Sequence, residues 1–136
     1  MILLAGMNTA LLEGLAQAFA NTGQRVVVAH SLEEAEELGL REPPILTVVE
    51  RGMVSESDPG RAFVRTTMAG GGTLVTYREA GDTSRALPAL VARHVLADLV
   101  LPLERNRLVS LADAVASRAK VVGRQPDASH RDAPPS

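Results

Sequence analysis

The chain contains 136 residues with a formal net charge of −2, and 46% of its residues are apolar, 2% aromatic and none cysteine. A chain of this length builds one domain, and its few rings and low net charge exclude the stacking platforms and basic patches that bind nucleic acids. The lack of cysteine excludes disulfides, zinc ribbons and thiol catalysis, and it agrees with a reducing cytoplasm.

The first half of the sequence alternates short apolar runs with segments of helical periodicity. In chain order, the pattern predicts a strand at 2–5, a helix from about 9 to 22, a strand at 25–29, a helix from 32 to about 40 and a strand at 45–49. Gly23 is predicted to end the first helix, and Ser31 with Glu34 forms the capping box of the second. This β-α-β-α-β order predicts a parallel sheet with helices on its faces.

The second half repeats this alternation. The pattern predicts a helix from 58 to about 68, a strand at 73–77, a helix that becomes regular near Leu87, a strand at 98–101 and a long last helix. After Gly123 the sequence is almost free of apolar residues and rich in Pro, Asp and Ser. We therefore predict one domain over residues 1–122 and a disordered tail or linker over 123–136.

Two stretches carry a resemblance to a known family. Gly23 ends the first helix and is followed by a valine strand, an alanine and a helix that opens with Glu-Glu-Ala at 33–35. Near the end, residues 102–108 read Pro-Leu-Glu-Arg-Asn-Arg-Leu. The chain resembles the receiver domain of bacterial two-component response regulators, whose last helix opens with Lys-Pro-Leu-Glu-Arg-x-x-Leu. The resemblance implies that the phospho-acceptor aspartate falls on Glu50 and the Ser/Thr switch on Thr76.

The acidic residues that should surround the acceptor are missing. The resemblance implies an acidic pair at the end of the first strand that holds Mg²⁺, yet the chain has Gly6 and Met7 there. Asn8 offers at best one neutral oxygen, whereas Mg²⁺ demands a near-octahedral set of oxygen ligands. We therefore predict no metal site and no cofactor.

The cation that should pair with a phosphoryl group is missing as well. At the end of the fifth strand the expected lysine is replaced by Leu101, or removed by a short deletion before Pro102, and the only lysine in the chain is Lys120. Phosphoryl transfer depends on positioning and charge neutralisation. We therefore expect that this position is not phosphorylated.

Glu50 has three interpretations that the sequence leaves open. It closes a buried apolar run at the carboxyl end of its strand, where open α/β sheets bind their ligands. Its carboxylate could mimic the phosphorylated state, reaching one methylene further than aspartate. Alternatively, it is a relic that is solvated or caps a helix N-terminus, or simply the polar residue that ends a buried strand.

The predicted switch residues also depart from the family pattern. Thr76 has a structural interpretation, because β-branched residues are common in strands. Tyr77 stands where receivers usually keep a small residue, so its ring is expected to cover the pocket. Val100 falls where we place the aromatic switch of the fifth strand, so the usual relay is absent.

A second resemblance leads to an alternative function. The first forty residues are similar to the opening of short-chain dehydrogenases, but the second and third glycines of the fingerprint fall on Ala10 and Leu12. The catalytic Tyr-x-x-x-Lys cannot form, because Gly81 stands four residues after Tyr77, the only tyrosine. A dehydrogenase is excluded, and a relic Rossmann-like nucleotide-binding module remains an alternative.

The predicted fold is a doubly wound, flavodoxin-like α/β domain with five parallel strands in the order 2-1-3-4-5. The predicted function is a non-enzymatic pseudo-receiver in bacterial two-component signalling, located in the cytoplasm, that works through protein contacts without phosphorylation. A conventional phosphorylated receiver with an atypical acceptor remains a further alternative. The N-terminal stretch lacks a basic region and a long apolar run, so we predict neither a signal peptide nor a membrane span.

The resemblance nominates one face of the domain for a protein partner or self-association. This face comprises the fourth helix, the fifth strand and the fifth helix of the family's fold, and nucleic acid is not expected on it. Residues of the last helix that lie off its apolar stripe are either part of this face or ordinary solvated surface: Arg107, Ser110, Ala114, Ser117 and Arg118.

Overall fold

The computed structural model describes residues 1–54, 58–82 and 86–132, and it describes their side chains except those of Asp58, Leu90 and residues 120–132. One sheet contains β1 (Ile2–Ala5), β2 (Val26–Ala29), β3 (Leu46–Glu50), β4 (Thr73–Glu79) and β5 (Ala97–Leu101). The strand order is β2-β1-β3-β4-β5 and every neighbouring pair is parallel. The predicted flavodoxin-like fold is confirmed.

The connections between the strands carry helices that cover both faces of the sheet. These helices are α1 (Thr9–Ala18, followed by a 3₁₀ turn at Ala20–Thr22), α2 (Leu32–Arg41), α3 (Arg51–Val54), α4 (Asp58–Ala69), α5 (Ala89–Ala92) and α6 (Arg105–Asp132). Helices α1 and α6 pack on one face, and α2, α3, α4 and α5 pack on the other. None of the helices described is long and apolar enough to cross a membrane.

The helix boundaries follow from local chemistry. The side-chain oxygen of Asn8 accepts the Leu11 N–H at the start of α1, and that of Ser31 accepts the Glu34 N–H at the start of α2. Such caps satisfy amide groups that lack a partner in the first turn. Gly23 has a φ of 77° after the 3₁₀ turn, a left-handed conformation that glycine adopts without strain.

Three elements differ from the sequence-based expectation. Strand β4 extends to Glu79 because Arg78 and Glu79 pair with the end of β5. Helix α5, between β4 and β5, is reduced to one turn. Helix α6 runs past Gly123 to Asp132, although Gly and Pro disfavour helix interiors. The division into a domain and a tail at residue 122 stays a prediction.

Alternation along the strands decides which residues reach the functional edge. Ile2, Leu4, Val48 and Tyr77 lie in the core between the sheet and helices α1 and α6. Since successive side chains point to opposite faces, Glu50 follows Val48 towards this same side. Thr47 and Thr76 are the buried polar residues of the opposite side.

Candidate functional site

The carboxyl ends of β1, β3, β4 and β5 meet at one edge of the sheet. In the strand register Glu50 lies beside Tyr77, and Thr76 lies beside Asp98. Gly6 and Met7 directly follow β1, and Pro102 directly follows β5. The fold therefore brings together, at one edge, most of the residues that the sequence nominated for a degenerate pocket.

Glu50 is half-buried and is held by a backbone group. Its Oε1 accepts the N–H of Met7 at 3.2 Å. No ion pair to Glu50 occurs among the residues that the structure describes. Its carboxylate thus anchors the loop between β1 and α1, and no arginine or lysine side chain that the structure describes forms an ion pair with it.

Tyr77 and Gly6 together fill the space beneath Glu50. The Tyr77 side chain is fully buried. Its hydroxyl oxygen lies 1.9 Å, and its Cζ 3.1 Å, from the position that a Cβ at residue 6 would occupy. Real Cβ atoms do not approach other atoms as closely as 1.9 Å. A carboxylate side chain at position 6 and the Tyr77 ring in this position therefore exclude each other.

The Tyr77 hydroxyl is buried without a partner. It forms no hydrogen bond with any part of the chain that the structure describes. Burial raises the pKa of this hydroxyl far above its usual range, and the nearby carboxylates of Glu50 and Glu79 raise it further. Tyr77 is therefore neutral at physiological pH, and its ring occupies the pocket without supplying a nucleophile.

Asn8 spans the edge from β1 to β4. Its Oδ1 caps α1 by accepting the Leu11 N–H at 3.1 Å, and its Nδ2 donates to Glu79 Oε1 at 2.9 Å. The one neutral oxygen that the sequence offered for a metal is thus already engaged. This contact also fixes the loop above the Tyr77 ring to the end of β4.

These residues do not fit the magnesium ion that receiver chemistry requires. Glu50 is a lone carboxylate beside Gly6 and Met7, and the volume for an acidic side chain at position 6 is occupied by Tyr77. Within residues 1–54, 58–82 and 86–132, no three His, Cys, Asp or Glu side chains come close enough together to hold a metal ion. Mg²⁺ requires a fuller set of oxygen ligands than this edge supplies.

An ionic network at Asp98, the second residue of β5, was not foreseen from the sequence. Thr76 Oγ1 donates to Asp98 Oδ1 at 2.9 Å, and the Arg51 guanidinium contacts Asp98 Oδ2 at 3.1 Å. The Arg51 side chain is only 11% exposed, whereas that of Asp98 is 35% exposed, so the ion pair is partly open to solvent. Two sequence features could have indicated this network: Asp98 is an aspartate inside an apolar strand, and Arg51 directly follows Glu50.

The pairing of β5 with β4 gives the strand neighbours of the two residues assigned to the switch, Thr76 and Val100. Val100 pairs with Arg78, and the residue beside Thr76 is Asp98. The Thr76 hydroxyl therefore has a charged neighbour on β5. The assignment of Val100 to the aromatic-switch position stays a prediction.

Leu101 ends β5 and is fully buried in the core on the α1 and α6 side. A cis peptide bond joins it to Pro102. Leu103, two residues on, is 78% exposed. This end of the strand therefore offers an apolar side chain to the core and no ammonium group to the edge.

Asp98 is expected to stabilise this edge measurably. Asp98→Ala leaves the buried Thr76 hydroxyl without its acceptor and should lower the free energy of unfolding by about 1–3 kcal/mol. Asp98→Asn keeps one acceptor and should cost less. Urea unfolding measures both, with Asp113→Ala at an exposed position of α6 as the control, expected within about 0.5 kcal/mol of the wild type. Equal values for Asp98→Ala and the control would contradict this role.

The five nominated residues of α6, Arg107 to Arg118, are all solvent-exposed. Arg107 forms an ion pair with Glu104 at 3.2 Å, and Glu104 Oε2 accepts the Val100 N–H at 2.7 Å. The pKa of Glu104 is lowered, chiefly by the Val100 hydrogen bond and further by Arg107 and Arg78. Glu104 thus fastens the start of α6 to β5.

The lowered pKa of Glu104 makes part of the stability depend on pH. Its ionised form is favoured by folding, so its contribution is present above its unfolded pKa of about 4.5 and is lost as the pH falls through the lower folded value. We expect Glu104→Gln to flatten the decline of unfolding free energy below about pH 4.5, measured by urea titrations across pH. Glu33→Gln, at an exposed position of α2, is the control. Superimposable curves for wild type and Glu104→Gln would refute this assignment.

The sheet order and the helices on its two faces are those of response-regulator receiver domains. A receiver domain protein from Clostridium thermocellum matches with a TM-score of 0.66 and 16% identity, covering 89% of this chain and 97% of its own. The receiver domain of AraT, a response regulator from Geobacillus stearothermophilus, matches with a TM-score of 0.69 and 20% identity, covering 90% and 96%. The receiver domain of NtrX from Brucella abortus matches with a TM-score of 0.66 and 15% identity, covering 86% and 98%.

These likenesses, at identities of 20% or less, establish a shared fold. No protein-family model matches the chain, and no curated protein matches it significantly. The chemistry of the edge therefore has to be argued from the residues that occupy it.

Proposed function

We propose that this chain is a pseudo-receiver of bacterial two-component signalling, a cytoplasmic, non-enzymatic domain that works by protein–protein contact without being phosphorylated. The observation that carries the proposal is the placement of the Tyr77 hydroxyl 1.9 Å from the Cβ position of residue 6. The ring fills the volume that a metal-binding carboxylate at that position needs.

Charge at the edge supports the same function. Glu50 and Glu79 lie near Tyr77, and neither has an ion-pair partner among the described residues. A phosphoryl dianion attached at Glu50 would add negative charge to this edge, where no ion pair in the described structure offsets the charge of Glu50 or Glu79.

The switch residue is engaged elsewhere. The Thr76 hydroxyl donates to Asp98, which is held by Arg51. A movement of Thr76 towards Glu50 would break the first contact and leave the Asp98 carboxylate with one partner fewer. This network favours a single state of the edge, as a constitutive protein-binding domain requires.

A direct test is incubation with acetyl phosphate and Mg²⁺, followed by intact mass measurement. We expect no added phosphoryl group, while a conventional receiver treated in parallel gains one. A stable gain of one phosphoryl group that disappears in Glu50→Gln would overturn the proposal and favour a phosphorylated receiver with an atypical acceptor.

A separate experiment tests whether the exposed face of α6 is the surface through which the domain associates with itself. Ala114 lies exposed among Arg107, Ser110, Ser117 and Arg118, so Ala114→Arg changes that surface without entering the core. If the domain associates with itself through α6, sedimentation should show a dimer for the wild type and a monomer for Ala114→Arg. A dimer unaffected by this substitution would place the contact on another face.

A further inference from the structure

A second surface of the molecule contains an apolar cavity. The cavity, of about 170 Å³, opens between α2 and α4, on the side of the sheet away from α1 and α6. Its lining includes the buried side chains of Leu3, Ala35 and Phe63. Leu40 lies at its exposed rim and is itself 71% exposed. The buried lining and this exposed leucine together form a small apolar opening at the surface.

Position 39, near the end of α2 and in the wall of the cavity, has no side chain. A Cβ at Gly39 would meet only Pro44 Cδ, at the ordinary contact distance of 3.8 Å. The chain therefore has room for a larger residue, although glycine within a helix costs about 1 kcal/mol relative to alanine. A side chain placed here would extend into the open space.

The lining determines what kind of group fits. Thr66 and Thr67 donate their hydroxyls to the carbonyls of Ala62 and Phe63 in their own helix, so these hydroxyls are already engaged. A dry cavity of about 150 Å³ lined by apolar side chains accommodates a molecule as large as benzene. The space here accordingly suits one branched or aromatic side chain.

The charge at the mouth of the cavity adds a second requirement. Glu36 is the charged residue of the lining, and neither it nor Glu33, one turn earlier, has a hydrogen bond or ion pair in the described part of the chain. Arg41, further along α2, is paired with Glu37. The exposed carboxylates favour a cation next to the apolar group.

We propose that this cavity receives one leucine- or phenylalanine-sized side chain of a protein partner, on a segment that carries a lysine or arginine beside it. The surface is separate from the Glu50 edge and from the exposed face of α6. Its test is therefore independent of whether the domain is phosphorylated.

The test uses a phage-displayed library of random peptides selected against the full chain, with the enriched peptides then measured by fluorescence anisotropy. We expect a shared large apolar residue next to lysine or arginine. Gly39→Leu fills the cavity and should weaken binding about 10- to 100-fold, the value of burying one such side chain. Gly14→Leu is the matched control, because Gly14 lies exposed on α1 with no atom within 4 Å of its Cβ position.

Two substitutions at exposed positions test the same surface without entering the core. Glu36→Lys should weaken the enriched peptides about 2- to 10-fold, and Leu40→Ala should weaken them severalfold. Circular dichroism confirms that each variant is folded. Peptides that bind wild type and Gly39→Leu equally would overturn the proposal. A selection that enriches no peptide would also overturn the proposal if indole, added to the protein, shifts the NMR amide signals of the lining residues. That result would assign the cavity to small molecules.

Discussion

Replacing Tyr77 with alanine is expected to lower the free energy of unfolding by about 3–5 kcal/mol, as for other fully buried aromatic residues. Replacing it with phenylalanine is expected to leave stability unchanged or raise it by about 1 kcal/mol. The difference arises because the ring packs in the core against β1, β3 and α1, whereas the hydroxyl is buried with no partner in the described structure. An unsatisfied buried polar group costs about 1–3 kcal/mol.

Urea unfolding with a common slope for all variants measures both effects. Tyr77→Phe is the matched control for Tyr77→Ala, since it keeps the ring and removes only the oxygen. A loss of more than about 1 kcal/mol in Tyr77→Phe would mean that the hydroxyl makes a favourable contact in solution, contrary to the buried geometry.

The second large effect is expected at Gly6. Gly6→Ala places a Cβ within 1.9 Å of the Tyr77 hydroxyl, so it should destabilise the wild type by about 1–3 kcal/mol or force the ring to move. In the Tyr77→Phe background the nearest ring atom is Cζ, at 3.1 Å from the Cβ position of residue 6. The destabilisation caused by Gly6→Ala should therefore be smaller in that background. The two substitutions should therefore show an interaction energy of about 0.5–3 kcal/mol in a double-mutant cycle.

Gly14→Ala is the control for this cycle. It lies in α1 with no atom within 4 Å of its Cβ position, so alanine should stabilise the protein by about 0.5–1 kcal/mol through helix propensity alone. If Gly6→Ala costs the same in both Tyr77 backgrounds, the ring does not occupy the space beside Gly6.

The arrangement of the fold could be predicted because it depends on local patterns. Apolar runs at 2–5 and 45–49, and caps such as Ser31 and Gly23, lie within a few residues of the features that they define. Once the alternation of strands and helices is known, a parallel sheet with a small set of strand orders follows. The order 2-1-3-4-5 is confirmed on this basis.

The contacts at the edge could not be predicted in the same way. Gly6 and Tyr77 come together across β3, and their fit depends on the direction of one ring. Arg51 and Asp98 are 47 residues apart and meet only because β3 and β5 flank β4. The pairing of Thr76 with Asp98 is a contact of the same kind, since it depends on the register between β4 and β5.

The central claim is that Tyr77 stands where an ion-binding carboxylate would have to be, and a magnesium titration followed by NMR tests it most directly. The amide signals of Gly6, Met7 and Glu50 should stay unchanged at Mg²⁺ concentrations that saturate a conventional receiver measured alongside. Saturable shifts of these three signals, abolished by Glu50→Gln, would contradict the account.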